Sequence, residues 1–323
     1  MTSNIPAIFP SAVFAAAFGL EDEFGSGTGT TDGILGVLGV ALSVENFKQE
    51  NQFEGLYRLG SRAAELFYSK GLNVAVDINF VMANDNFNWL DLILNRQQSG
   101  STTISTTWTV PDREGEIPTM YMNLQDEHGY FYTGYGFGVE TAKLSFEEGK
   151  TCDVSLSVKG KTVTYASSST APEAFSQGLT YPTEFVTWAN VQVSYNGKYG
   201  SSTFGVQPIT TLDLTINNNL KFYYGLGSID YKAMVPQKLD VSGKLDILHD
   251  SNMLEQFMTS ASTQSSTNSY DLTLTIGSDY GKSYVIEIEG MYWNDGSMTL
   301  KPVDPVIDEL TFKARNVKVS VGT

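Results

Sequence analysis

Few residues in this chain have types and spacing that suggest chemistry. Gly277-x-x-x-Gly281-Lys282-Ser283 has the look of a phosphate-cradling loop, but it is one residue short between the glycines and lies between two β patterns rather than before a helix. Gly25-x-Gly27-x-Gly29 misses the dinucleotide fingerprint because Thr30 and Asp32 fall where the third glycine belongs, so a loop is the better reading. His128 sits in the polar turn Asp126-Glu127-His128-Gly129-Tyr130, and His249 stands just before a candidate helix cap, Asp250; neither has a nucleophile beside it. Cys152 is the sole cysteine, so no internal disulfide can form, and with two histidines a His-rich or Cys-rich zinc site is excluded. It opens an apolar strand and reads as a small buried residue.

Two further chemistries stay open. Carboxylates are numerous enough for a hydrolase with a carboxylate pair, although no pair is evident in the sequence. Aromatic residues make up 12% of the chain, and Trp89, Trp108, Trp188 and Trp293 could line a sugar-binding face, with core packing the plainer reading. No cofactor or metal is expected, and the chain reads as a non-enzyme.

The elements around these residues are more informative. Leu72, Val74, Val76, Ile78, Phe80 and Met82 alternate with Asn73, Ala75, Asp77, Asn79 and Val81. Leu239, Val241, Gly243, Leu245 and Ile247 alternate likewise with Asp240, Ser242, Lys244 and Asp246, so both runs read as half-buried strands. Asn196-Gly197 and Asp295-Gly296 read as turns between strands. After each long strand an apolar i, i+1, i+4, i+5 pattern predicts a short amphipathic helix. One follows Asp85 (Trp89, Leu90, Ile93, Leu94) and one follows Asp250 (Met253, Leu254, Phe257, Met258), with the Asp residues as caps. The polar tracts Gln97 to Thr107 and Ser260 to Ser269 that come next read as loops.

These elements occur twice. Leu59-Gly60-Ser61 precedes Leu72-Asn73-Val74 as Leu226-Gly227-Ser228 precedes Leu239-Asp240-Val241, at a constant offset of 167. Upstream, Leu42 to Asn46 matches Leu214 to Asn218 if the first copy carries five extra residues, and Phe24-Gly25-Ser26 matches Tyr199-Gly200-Ser201. The closing strands align Lys143 to Phe146 with Glu309 to Phe312. A Ser/Thr/Ala/Pro-rich stretch separates the copies, giving an N-terminal arm at 1–10, a first β domain at 11–164, a linker at 165–183 and a second β domain at 184–323.

Composition narrows the function. With 323 residues, 41% of them apolar, the chain can bury a substantial core. Acidic residues outnumber Lys plus Arg by 36 to 20, and a net charge of −16 opposes tight binding to phosphate backbones or anionic lipid. The apolar run Pro6 to Leu20 has no preceding Lys or Arg and is broken by Pro10, so it fails as a secretory signal and a soluble, intracellularly made protein is expected.

The two passages Leu42 to Leu94 and Leu212 to Met258, each a strand, a Leu-Gly-Ser turn, a long alternating strand and a capped helix, resemble the tail tube proteins of tailed phages and tailed archaeal viruses. The closing strands and Phe185 to Leu220 extend the resemblance over most of the chain. It implies a mainly β fold of two tandem β-sandwich domains, each with a short flanking helix, that contribute strands to a closed multi-subunit β-barrel. It implies a structural virion protein, assembled in the host cytoplasm, whose stacked homo-oligomeric rings form the channel for viral DNA during genome ejection. The rings would be trimers with pseudo-sixfold symmetry, or hexamers. Tape-measure, tail-terminator and baseplate or tip proteins would be its partners, and the DNA would pass without specific binding.

The arithmetic fits: six domains giving about four strands each make about 24 strands, which at ~4.8 Å spacing and ~40° tilt enclose a backbone cylinder roughly 50 Å across. Under this reading Asp77, Asn79, Asp240, Ser242 and Asp246 are candidate lumen-facing residues. The loops at Gly27 and Asp32, at Thr103 and Trp108, and at Gln264 and Asn268 are candidate ring-to-ring contacts. A β-sandwich carbohydrate- or receptor-binding protein, such as an adhesion or tail-tip component, is the alternative.

Overall fold

Alternation of period two needs a sheet with one wet face and one dry face, and the computed structural model of the chain is built almost wholly from such sheets. It describes residues 13–21, 23–26, 34–36, 38–57, 64–83, 86–99, 105–110, 118–126, 130–166, 184–197, 209–226, 228, 230–248, 270–277, 283–299 and 307–322. The principal sheet is antiparallel and runs through both halves of the chain. Its first four strands are β3 (Val40–Tyr57), β4 (Ala64–Val81), β9 (Asp153–Gly160) and the C-terminal part of β8 (Phe131–Glu147). The next four are β12 (Ile209–Asn217), β15 (Asp240–Leu248), β18 (Ile307–Ala314) and the C-terminal part of β17 (Ser283–Thr299). The two sets are joined by β8 pairing with β12, from Thr141↔Asn217 to Glu147↔Thr211.

Two smaller antiparallel sheets cover the dry face. One orders β2 (Ile34–Gly36), β1 (Val13–Leu20), β7 (Met120–Asp126), the N-terminal part of β8 and β10 (Thr162–Ala166). The other orders β11 (Val191–Gly197), β16 (Tyr270–Gly277), the N-terminal part of β17, β19 (Asn316–Gly322), β6 (Ser105–Thr109) and β5 (Asn95–Ser99). Thus β8 and β17 each serve two sheets, and each bends at a glycine in the left-handed region, Gly136 (φ 67°) and Gly290 (φ 63°). The amide of each bend donates to a carboxylate from a neighbouring segment, Gly136 to Glu21 at 3.1 Å and Gly290 to Asp271 at 3.0 Å. Glu21 is nearly buried and also accepts from Gly25 N–H and Thr119 Oγ1.

A single apolar core lies between the layers. It takes in Val74, Val76 and Ile78 of β4, Leu144 and Phe146 of β8, Leu212 and Leu214 of β12, Leu310 and Phe312 of β18, and Leu274 and Ile286 from behind.

Several local expectations are corrected. The helix expected after Asp85 is only a 3-10 turn, Asn88–Leu92, preceded by Phe87 with no side-chain cap; Asp85 itself, like the counterpart after Asp250, lies outside the described residues. From Trp89 to Leu94 every residue is buried and only Asn88 of the turn is exposed, so the segment lacks the continuous wet face of an amphipathic helix. The tract Gln97 to Thr107, expected as a loop, supplies much of the β5–β6 hairpin. Its polarity disguises a strand that adds along a sheet edge by backbone pairing. Asn196 and Gly197 are paired within β11, opposite Asp271 and Tyr270, and Asp295-Gly296 lies in β17 beside a bulge, with Gly296 N–H donating to the Asp295 carboxylate at 2.8 Å. Asn-Gly and Asp-Gly suit local kinks as well as hairpin turns, and pairing with the next strand decides between them.

The β5–β6 hairpin is locked by a buried polar contact. Asp91, in the 3-10 turn, accepts from Trp108 Nε1 at 2.5 Å and from Arg96 at 3.3 Å. Burial raises the Asp91 pKa above its ordinary value of 3.8, against the lowering by Trp108 and Arg96. A raised folded-state value favours the protonated form in the native protein. Its contribution to stability is therefore complete below about 3.8 and lost as pH rises through the folded value. Thermal melts across that acidic range should show this slope in the parent and its absence in Asp91→Asn. Asp91→Ala, which leaves Trp108 Nε1 buried without its acceptor, should cost about 1–3 kcal/mol.

Candidate functional site

The wet face of the eight-stranded sheet is a broad polar surface. The apolar residues of each strand point into the core, so the intervening positions all emerge on the other side. Cross-strand partners trace rows over this face. One row runs Ser43, Asn79, Ser155, Lys143, Thr215, Ser242, Lys313, Tyr292. A second runs Asp153, Ser145, Asp213, Lys244, Thr311, Asp295. Asp77, Asn79, Asp240, Ser242 and Asp246, singled out from the alternation, are all exposed or half-exposed on this one face.

The face is largely polar, with Ala75 and Val81 as apolar members, and Lys143, Lys159 and Lys244 are held by carboxylates. Lys143 pairs with Asp213 at 3.2 Å, Lys159 with Glu140 at 2.5 Å, and Lys244 with both Asp246 and Glu309 at 3.2 Å. Burial disfavours charge on Lys244, but the hydrogen bonds and charges of Asp246 and Glu309 outweigh it and raise its pKa. Asp77 accepts from Asn46 at 2.7 Å, Asn79 from Ser155 at 2.6 Å, and Asp240 from Asn219 at 3.1 Å. Asp77, Asp153, Asp213, Asp240, Asp246, Asp295, Glu45, Glu50, Glu140, Glu147 and Glu309 share the face with Lys48, Lys143, Lys159, Lys244 and Lys313, so this surface is net negative.

The sheet ends in two edges. Among the described residues β3 pairs only with β4, and the C-terminal part of β17 only with β18. Both edges are bulged, at Val40/Ser43 and Glu45/Lys48 on β3 and at Trp293/Asp295 on β17, which suits a partner of matching shape and discourages indiscriminate pairing. The internal joint is in continuous register from Thr211↔Glu147 to Asn217↔Thr141; the β8 bulge at Val139/Thr141 lies in its pairing with β9, and Asn218, at the end of β12, donates Nδ2 to Val139 O at 2.9 Å and its amide to Glu140 O at 2.8 Å.

The other candidates fare differently. Trp108 is not in a loop: it is 3% exposed in β6, because its indole is the donor to Asp91. Gly27, Asp32, Thr103, Gln264 and Asn268 lie outside the described residues, as do His128 and His249. Trp89 is buried, and Trp188 and Trp293 pack against the core, which leaves no coplanar tryptophan platform for a sugar. Cys152 is fully buried, and burial, with the nearby Asp153, pushes its thiol up to about 12, so no reactive thiolate forms at neutral pH. Gly277 and Ser283 close and open paired strands, not a strand and a helix. Among the described residues no cluster of His, Cys, Asp and Glu could hold a metal ion, and no helix is long and apolar enough to cross a membrane.

A surface feature that alternation did not reveal is the small hairpin of β13 (Lys221–Tyr224) and β14 (Tyr231–Val235), which carries Leu226 fully exposed at its tip and rests Tyr224 against Gly71 of β4.

The family of phage tail tube proteins matches residues 15–314 of the chain. The chain belongs to that family. A comparison with curated proteins found no match. For a tail tube protein the geometry has a plain meaning: it is a structural component of the virion tail, and its described residues present a broad, largely polar sheet face bounded by two sheet edges.

Proposed function

We propose that this tail tube protein is the subunit of a ring in which three chains close one continuous β-barrel, and that stacked rings form the channel for viral DNA. The observation that carries this reading is the eight-stranded sheet that crosses between the halves at β8–β12 and stops at two bulged edges with no further strand among the described residues. The halves present the same series, β3-β4-β9-β8 and then β12-β15-β18-β17. If they are two copies of one unit, the joint between copies inside a chain is the template for the joint between chains. The β17 of one chain then pairs with the β3 of the next, as β8 pairs with β12. Three chains of eight strands give 24, and a barrel of that count is roughly 50 Å across at the backbone.

Cross-strand partners support the duplication and change its register. Val76 lies opposite Val158 and Gly243 opposite Phe312, in keeping with the offset of 167 along the long strands. Val44 faces Ile78 as Leu212 faces Leu245, so β3 needs no five-residue insertion to match β12. Glu309 to Phe312, in β18, takes the place of Ser155 to Val158 in β9, not that of Lys143 to Phe146 in β8. Alternating strands match one another at every even shift, so sequence similarity alone does not fix which register relates the two halves.

The polar face lines the lumen in this assembly, because the apolar face is already covered by the smaller sheets. A surface of Ser, Thr and Asn with an excess of carboxylates repels phosphate and binds no base, so DNA slides past it. The tape-measure, terminator and tip proteins would meet the ends of the tube. Negative-stain microscopy of the purified chain tests the reading. Rings or tubes are expected, alone or with tail partners, and a chain that stays monomeric under all such conditions would refute it.

A further inference from the structure

A bulge takes a residue out of the ladder, and its carbonyl then needs a donor from elsewhere. In β8 that residue is Glu140, between Val139↔Val158 and Thr141↔Ser157 of the pairing with β9. One residue from across the joint supplies the bulge with two donors. Asn218, where the β8–β12 ladder ends at Thr141↔Asn217, gives its amide to Glu140 O at 2.8 Å and Nδ2 to Val139 O at 2.9 Å. It is 1% exposed, so the clasp is closed to water.

Both parts of the clasp recur at the outer edges of the sheet. β17 bends at Gly290 and bulges at Trp293/Asp295 in its pairing with β18, each feature 154 residues after its counterpart in β8, Gly136 and Val139/Thr141. Asn294 takes the place of Glu140. On β3, Glu50 lies opposite Asn73 and Asn51 opposite Leu72; on β12, Asn217 lies opposite Asp240, which stands 167 residues after Asn73. Glu50 thus holds the position of Asn217, and Asn51 that of Asn218. The hairpins beyond confirm the register, because Tyr57 pairs with Ala64 as Tyr224 pairs with Tyr231, each just after a bulge, at Leu56/Tyr57 and Tyr223/Tyr224. An asparagine occupies the clasping position in both halves.

We propose that Asn51 clasps the β17 bulge of a second copy of this chain, giving its amide to Asn294 O and its Nδ2 to Trp293 O. The inference rests on the ring reading above and adds to the β17–β3 junction what backbone pairing lacks. Polar strands that pair only through the backbone fit at every even shift, whereas a side chain that must reach one bulge admits a single register. Glu50 then lies opposite Asp295, and its ion pair with Lys48 offsets the like charge.

Asn51→Leu and Asn51→Ala test the clasp, read by melting of the monomer and by light scattering against chain concentration. Both variants should melt with the parent yet need about ten- to hundred-fold more chain to form tubes, since a buried carbonyl is left without its donor. Asn218→Leu makes the same change at the joint inside the chain and should instead melt early. In a strand-resolving map of parent tubes, Nδ2 of Asn51 should lie about 3 Å from Trp293 O of the next chain. Variants that assemble at the parent's concentration, or a map with β17 beside β3 and Asn51 directed elsewhere, would overturn the clasp and leave the ring reading standing. An Asn51 variant whose monomer melts early would overturn it as well, by assigning the residue to its own chain's fold. Parent chains that never form rings would overturn both.

Discussion

Proline near the start of β3 should abolish ring closure without unfolding the chain. Ser43 and Val44 are neighbours on an edge strand, so one of the two amides points toward β4 and the other away from it. Proline at the outward position removes no bond that the monomer makes, because an edge strand tolerates a missing donor. In the proposed ring it removes a donor from the junction with β17 of the next chain. A carbonyl left unpaired there costs about 1–3 kcal/mol, which weakens each interface about ten- to hundred-fold, and a closed ring needs three such interfaces. Of Ser43→Pro and Val44→Pro, one variant should therefore melt close to the parent and scatter light as a monomer, while the other should lose stability by a similar amount. If both variants form tubes as the parent does, β3 is not an assembly edge.

Turning the polar face basic should leave tubes that hold DNA. Asp77→Lys, Asn79→Lys, Asp240→Lys and Ser242→Lys together add six positive charges to a chain of net −16, and all four sites lie on interior strands of the sheet, away from the edges. If that face lines the lumen, a ring of three chains gains eighteen charges inside a closed cylinder. Phosphate contacts released by salt then dominate, and DNA affinity should fall steeply between low and physiological ionic strength. Tubes of the parent chain should retain no DNA. Tubes of the variant should retain DNA that a nuclease cannot reach, and virions carrying it should release their genome slowly. Bound DNA that is digested as readily as free DNA would place the polar face outside.

Much of the sheet was legible in the residues themselves. The alternation from Leu72 to Met82 and from Leu239 to Ile247 gave two central strands with their wet and dry faces assigned correctly, because side-chain period and burial are rigidly coupled in a pleated strand. The candidate residues Asp77 and Asp240 consequently fell on the same surface although they are far apart in sequence. Elements whose existence depends on a partner were not legible. The tract around Thr107 has no apolar period of its own and becomes a strand only by adding to β19, some 200 residues away. Trp108 reads as a loop residue in the sequence because nothing nearby announces that Asp91 is its acceptor. The bends at Gly136 and Gly290, which let β8 and β17 serve two sheets, rest on carboxylates held by other segments, Glu21 and Asp271, and a glycine among many gives no local sign of that.

A cryo-electron microscopy map of the assembled tube, sharp enough to resolve individual strands, tests the central account most directly. Three chains per ring are expected, with a mass of about 106 kDa from three chains of 35.3 kDa, and a wall of 24 strands in which β17 of each chain lies beside β3 of the next. Asp77 and Asp240 should face the channel. Six chains per ring with only one half of each in the wall, or a wall closed by strands other than β17 and β3, would contradict it.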